Sequence, residues 1–198
     1  MIYTATLESG VTIPLDPFVQ ELFCRSYISP TMVAPNGMKN LMAFVFTCRL
    51  HHVAPTRDLL RAVLTMKNVM KGNWMVTFTN RRGYTVCDGL PSNLHSYMDK
   101  YVAIRPKDGR MPFPWGFSVP EYPMAARPAL SDNDQQWVDA VFKTNGPLAR
   151  YRLRAGMLGE PWLRAVASAT NFTTAGTFNF LLHFFVRHSL RLLFFSMT

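Results

Sequence analysis

Seven groups of turn-forming residues divide the first 115 positions of this chain. They are Pro14 with Pro17 and Phe18, Ser29-Pro30, Pro35-Asn36-Gly37, Pro55-Thr56, Gly72-Asn73-Trp74, Leu90-Pro91-Ser92 and Phe113-Pro114-Trp115. Proline removes a backbone donor and fixes φ, and glycine opens conformations closed to other residues, so such groups set where regular elements begin and end. Between them only short helices and strands fit.

Helix starts are written into this punctuation. Asp16-Pro17 reads as an N-cap followed by proline at the first helical position, where the missing N–H costs nothing. Phe18, Val19, Leu22 and Phe23 continue it at helical spacing to about Tyr27, and Ser29-Pro30 stops it. Asn36 reads as the cap of a second helix with a buried stripe of Met38, Leu41, Met42, Val45 and Phe46, ending near His52. Thr56 reads as the cap of a third, with Asp58 in its first turn and Leu59, Leu60, Val63, Leu64 and Met66 facing inward.

The period then changes. Trp74 to Thr79 alternates as a half-buried strand does, and Asn80-Arg81-Arg82-Gly83 reads as a hairpin turn returning through Tyr84 to Cys87. Residues 92–98 read as a short helix and 100–105 as a further strand. Prolines from Pro106 to Pro128 predict an extended connector. Ser131 with Asp134, or Asp132 with Gln135, opens a helix through Trp137, Val138, Val141 and Phe142. Residues 147–158 and 161–169 read as two more helices. The expected fold is α+β and helix-dominant: an N-terminal three-helix unit, a β-hairpin, a Pro-rich connector and C-terminal helices. Its expected divisions are 10–120, a helical extension over 121–170, and an apolar tail over 171–198.

Composition narrows the function classes. The chain has 198 residues, 48% apolar and 13% aromatic, enough to bury a core, yet only 17% charged. Its net charge of +9 is spread as +2, +4 and +3 over residues 1–70, 71–130 and 131–198. A positive field of this kind favours nucleic acid or anionic membrane surfaces. Cys24, Cys48 and Cys87 form no C-x-x-C pair, which points away from a zinc knuckle or redox dithiol and towards reduced, mostly buried thiols. Residues 1–10 have neither a basic n-region nor an apolar h-region, so the expected location is intracellular, in cytoplasm or nucleus, without a signal peptide.

Taken in order, the punctuation resembles the gypsy-type transposon domain of plant retroelement-derived proteins. That family opens with P-x-x-P-F-V/I, then P-N-G/A, a helix with a late cysteine, G-V-x-P-T, G-x-W-x-x-F, G-L-P-S-S and an aromatic W-K-x-R-F-F-x-V segment. The matching residues are Pro14, Pro17 and Phe18; Pro35-Asn36-Gly37; Cys48; Val53-Ala54-Pro55-Thr56; Gly72, Trp74 and Phe78; and Gly89-Leu90-Pro91-Ser92. The last segment departs from the pattern: Tyr97 to Val102 keeps part of the aromatic scaffold but lacks the tryptophan and one basic residue. The resemblance covers about residues 10–120. It implies a gag-like, element-associated product with no catalytic residues to carry over, despite the transposase label such proteins bear. The matched residues themselves read as turns, with Trp74 and Phe78 packing one strand face.

No catalytic, cofactor or metal motif accompanies these landmarks. A nuclease or integrase needs clustered carboxylates to hold metal ions, and Asp88, Asp99, Asp132 and Glu160 lie in unrelated contexts. His51-His52 sit at a helix end and His95 stands alone, without triad context. Two groups of arginines are the candidate nucleic-acid contacts. Arg81 and Arg82 at the predicted hairpin tip follow three helices, the order of a winged helix whose wing touches phosphate. The third helix, however, offers few base readers beside Arg57, Arg61 and Lys67. Arg150, Arg152, Arg154 and Arg164, with Tyr151 and Trp162 interleaved, form a second patch, in which Arg150 and Arg154 share a helical face and Arg152 lies opposite.

The tail from Phe178 to Met197 carries thirteen large apolar side chains. Arg187 and Arg191 near its middle cost about 2.5–3.5 kcal/mol each on insertion, against roughly 0.3–0.6 returned per apolar residue, so spanning is near break-even. Asn179, His183, Arg187 and Arg191 recur every fourth residue, a polar stripe suited to a packed or interfacial helix. Read-through after a truncated element is the leading reading of this tail, a packed or interfacial helix the second and a membrane span the third. The expected activity is therefore non-enzymatic: self-association or non-specific contact with RNA or DNA. A winged-helix-like DNA-binding module and a membrane-associated protein stand as alternatives.

Overall fold

A long buried helix organises the chain. The computed structural model describes residues 2–69, 75–91, 100–103, 126–161 and 163, all within the unit Met1–Ala167. Helix α3 (Pro35–Leu50) buries twelve of its sixteen residues, Pro35 to Cys48 almost throughout. An amphipathic surface helix was expected here, but the polar positions are taken inside too: Asn40 lies buried with its Nδ2 donating to the Phe78 carbonyl at 3.0 Å. A helix apolar on nearly every side belongs in the middle of its domain.

Helix α2 (Pro17–Ser26) precedes it and starts as expected. The Asp16 carboxylate accepts from Phe18 N at 2.9 Å, and Tyr27 closes the helix in the left-handed conformation at φ 51°. Asp16 also pairs with Arg49 of α3, and the Phe18 and Phe44 rings lie 6.1 Å apart, so α2 is pinned to α3 at both polar and apolar points. The start of α3 differs from expectation. Its N-cap is Ala34, with Pro35 already in the first turn, and Asn36 lies inside the helix. The Asn36 side chain is drawn away instead, its Nδ2 donating to the Pro91 carbonyl at 2.7 Å.

Helix α4 (Arg57–Val63) is capped by Thr56, whose hydroxyl accepts from Leu59 N at 3.2 Å. It stops earlier than its apolar pattern implies and turns directly into strand β2 (Leu64–Asn68). Strand β3 (Val76–Asn80) pairs antiparallel with β2 in a register that sets Leu64 opposite Asn80 and Met66 opposite Phe78. Leu64 and Met66 satisfy both a helical and an alternating pattern; pairing with β3 decides for the strand.

That pairing corrects the expected hairpin. β3 returns along β2, not along Tyr84 to Cys87, so the connection at the hairpin tip is 69–75, of which 70–74 lie outside the described residues. Arg81 and Arg82 sit at the opposite end, in a turn closed by Tyr84 N donating to the Arg81 carbonyl at 3.0 Å. The winged-helix placement of these two arginines at a wing tip therefore does not hold.

Strand β1 (Ile2–Tyr3) and helix α1 (Thr4–Leu7) open the chain, and β1 pairs antiparallel with β4 (Tyr101–Val102), the described part of the strand expected over 100–105. Helix α5 (Asp132–Phe142) begins with Ser131 accepting from Asp134 N at 3.2 Å. Phe142 of α5 stacks on Phe44 at 5.9 Å, so one hydrophobic core draws on Val19, Phe23, Leu41, Phe44, Phe78 and Leu60 as well as Val138, Phe142 and Leu158.

Residues 147–158 do not form the expected α-helix. They make two short 3-10 turns, Ala149–Tyr151 and Ala155–Met157, separated by extended backbone at Arg152 and Arg154. Leu153 and Ala155 are both buried on this stretch, flanking Arg154 with its extended backbone and exposed side chain. The expected helix at 92–98, the connector residues 106–125 and the tail 171–198 lie outside the described residues, as does all of 161–169 except 161 and 163. Among the described residues, no helix is long and apolar enough to cross a membrane.

Candidate nucleic-acid interface

Two parts of the chain that lie about sixty residues apart in sequence meet along one seam. After the turn at Arg81, the segment from Gly83 to Asp88 bonds to the end of α5 at one end and to residues 153–155 at the other. Thr144 N donates to the Gly83 carbonyl at 2.9 Å, Thr85 N to the Phe142 carbonyl at 2.8 Å, and Tyr84 forms a bridge with Lys143. Farther along, Asp88 bridges Arg154, with Asp88 N donating to the Leu153 carbonyl at 3.0 Å and Ala155 N to the Asp88 carbonyl at 2.8 Å. Gly83, at φ 85°, supplies the left-handed turn that redirects the chain from β3 into this seam.

The seam joins the chain segment that follows Arg82 to the one that carries Arg150 and Arg154. Arg82 and Lys143 are exposed at one end, and Arg154 at the other, with Arg150 exposed nearby. The Arg150 guanidinium lies 4.8 Å from the centroid of the Tyr151 ring, which is 63% exposed.

Arg152 does something different. Its side chain is only 7% exposed. It donates through Nη2 to the carbonyl of Lys143 and, at 2.9 Å, to that of Thr144, just past the end of α5, and lies 4.0 Å from Asp88. A cation that satisfies the last carbonyls of a helix is a C-terminal cap. Arg152 therefore positions the seam and is not one of its contact groups. Arg164 and Trp162 lie outside the described residues.

Arg81 is also engaged. Its Nε donates to the Arg61 carbonyl at 2.6 Å, and burial together with the nearby Arg127 and Arg61 charges holds its guanidinium pKa below the ordinary value. Arg127, which the sequence reading passed over, lies 5.1 Å over the Tyr84 ring and donates to the Tyr84 hydroxyl at 2.6 Å and to Gln135 Oε1 at 3.2 Å. The Tyr84 hydroxyl donates in turn to Asp139 at 2.8 Å, and Gln135 Nε2 to the same oxygen at 2.7 Å. No sequence signal marks Arg127, because its partners are brought to it only by the fold.

The other chemistry in the neighbourhood is small in scale. A cavity of about 20 Å³ between α3 and α5 is lined by Thr47, His51, Val141, Phe142 and Arg152. That volume suits one water and no substrate. Burial and the His52 charge lower the His51 pKa. Among the described residues, no three His, Cys, Asp or Glu side chains come together as a metal site. Cys24, Cys48 and Cys87 are all free thiols.

Comparison with known proteins yields no match: no family model, no curated protein and no solved structure is similar to this chain.

Proposed function

We propose that this chain is a non-enzymatic, gag-like protein of retroelement derivation that contacts the phosphate backbone of RNA or DNA without reading sequence. The observation that carries the reading is the seam, where Arg82, Lys143, Arg150 and Arg154 are exposed around a segment whose carboxylates are largely engaged. Asp139 is held by Tyr84, Gln135 and, at 3.8 Å, Lys143, while Asp88 faces Arg152. Guanidinium groups beside an exposed aromatic suit backbone contact and base stacking, which every sequence offers equally. The ordered landmarks of residues 10–120 are the ground for the retroelement part of the reading.

A salt titration of binding to random-sequence single-stranded RNA and duplex DNA tests it. Affinity is expected to fall steeply with salt and to differ little between sequences. Salt-independent binding, strong sequence preference, or cleavage in magnesium or manganese that one carboxylate substitution abolishes would each overturn it.

A further inference from the structure

We propose that Tyr151 is a stacking platform for an unpaired base, so that the nucleic acid this chain takes is single-stranded. The platform rests on the backbone-contact reading and adds to it the kind of strand bound. The Tyr151 ring is 63% exposed, and the Arg150 guanidinium lies 4.8 Å from its centroid. Tyr27 and Tyr101 are exposed to a similar degree, but among the described residues neither ring carries a cation. Tyr84 carries one, yet it is partly buried and its hydroxyl is committed to Asp139 and Arg127.

The turn that carries this ring is fixed before any ligand arrives. Leu148 N donates to the Ala140 carbonyl of α5 at 3.2 Å, and Gly146 lies so close to α5 that a Cβ there would sit 2.7 Å from the Asp139 carbonyl. Within the turn, Ala149 N donates to the Gly146 carbonyl at 3.0 Å and Tyr151 N to the Leu148 carbonyl at 2.9 Å. Directly after the ring, the Arg152 side chain is 7% exposed and donates to the carbonyls of Lys143 and Thr144. The backbone is thus anchored to the end of α5 on both sides of an aromatic ring that is left in solvent. Such a ring forgoes the burial it would gain inside the protein, and its anchoring reduces the entropy lost when a base stacks on it. An unpaired base presents a π-face whatever its identity, whereas the bases of a duplex are already stacked on their neighbours. Arg150 is itself exposed, so a cation suited to phosphate stands beside the ring that suits the base.

The full chain is titrated with three probes of about twelve nucleotides each: a random-sequence DNA single strand, a strand of the same length built of abasic residues, and the duplex of the first. The abasic strand keeps every phosphate and carries no base. Wild-type protein is expected to bind the base-bearing strand about tenfold more tightly than the abasic one. Tyr151→Leu is expected to lose that difference while its affinities for the abasic strand and the duplex stay unchanged, and Tyr151→Phe to keep it. A 2-aminopurine base in the single strand is expected to be quenched on binding wild-type protein and not on binding Tyr151→Leu.

Equal wild-type affinity for the base-bearing and abasic strands, or a Tyr151→Leu variant that keeps the difference, overturns the platform. Salt-dependent binding to all three probes then leaves the backbone-contact reading standing without it. Absence of salt-dependent binding to any of the three removes that reading and the platform together. Because the ring lies in solvent, Tyr151→Leu is expected to unfold in urea at the wild-type midpoint. Should that variant fail to fold, the wild-type comparison of base-bearing and abasic strands decides.

Discussion

Asn36 Nδ2 donates to the Pro91 carbonyl at 2.7 Å across fifty-five residues of sequence. The bond joins two of the turn-forming groups that divide the chain, and strand β3 meets them there. Ala34 N donates to the Val76 carbonyl at 2.8 Å, and Gly37 packs against Thr77 and Phe78 of β3. These landmarks are therefore one assembled corner, where the first turn of α3 seats on the hairpin.

The corner leaves no room for a side chain at Gly37. A Cβ there would lie 2.6 Å from Phe78 N and 2.9 Å from Thr77 Cα, backbone atoms that move only with the strand. Gly37→Ala is expected to destabilise the fold by about 2–3 kcal/mol as α3 and β3 are forced apart. Asn36→Ala removes one hydrogen bond and is expected to cost about 1 kcal/mol. Urea unfolding of both variants checks the order; wild-type stability in Gly37→Ala would mean that α3 and β3 do not approach this closely.

Asp16 does two jobs, capping α2 through Phe18 N and pairing with Arg49 of α3, with side-chain exposures of 13% and 18% for the acid and the arginine. Removing one partner of a mostly buried pair leaves the other charge stranded. Arg49→Gln is expected to cost about 2–3 kcal/mol, somewhat under the fully buried case because some water reaches the pair. Asp16→Asn keeps a capping oxygen and is expected to lose less. A double-mutant cycle by chemical denaturation is expected to return a coupling of about 1–2 kcal/mol; additivity of the two substitutions would show that the pair contributes nothing.

The three thiols differ sharply in access. Cys24 is exposed, while Cys48 and Cys87 are buried. Burial pushes both buried thiols up; for Cys87, with the Asp88 charge adding to it, the pKa rises from its ordinary 9.0 to about 12. Only the thiolate reacts, so a thiol reagent at neutral pH is expected to label Cys24 rapidly and the other two only on unfolding. A thiol with a raised folded-state pKa stays protonated while the unfolded chain ionises. Between pH 9 and 12 the unfolded state binds fewer protons, so stability is expected to fall with rising pH by up to about 1.4 kcal/mol per pH unit from Cys87. Fast labelling of Cys87 in the native protein would contradict this.

Local chemistry was readable in advance, and chemistry assembled across the chain was not. Asp16, Thr56 and Ser131 announce their helices because a cap and its target lie two or three residues apart. Asn36 has the same cap chemistry, yet Pro91 takes its side chain, a competitor that no window of sequence contains. Leu64 and Met66 fit two periods, and only the presence of β3 alongside selects the strand. Arg152 carries the composition of a surface patch but closes the end of α5. Arg127 has no local signature at all, because Tyr84 stands forty-three residues before it. The arginines of the seam could be named singly from sequence; that their segments meet follows only from the bridges of Tyr84 with Lys143 and Asp88 with Arg154.

Those bridges separate contact arginines from positioning ones, and salt dependence can tell the two apart. Arg82 and Arg154 are exposed, so Arg82→Gln and Arg154→Gln are each expected to weaken RNA and duplex binding and to lower the slope of log affinity against log salt by about one unit, with stability nearly unchanged. Arg152→Gln removes a buried cap from the carbonyls of Lys143 and Thr144 and is expected to cost about 1–3 kcal/mol of stability while leaving the salt slope of the remaining folded protein unchanged. Fluorescence anisotropy over a range of salt, paired with urea unfolding, measures both quantities on each variant. A lowered slope in Arg152→Gln at wild-type stability, or an unchanged slope in both exposed variants, would reverse the assignment.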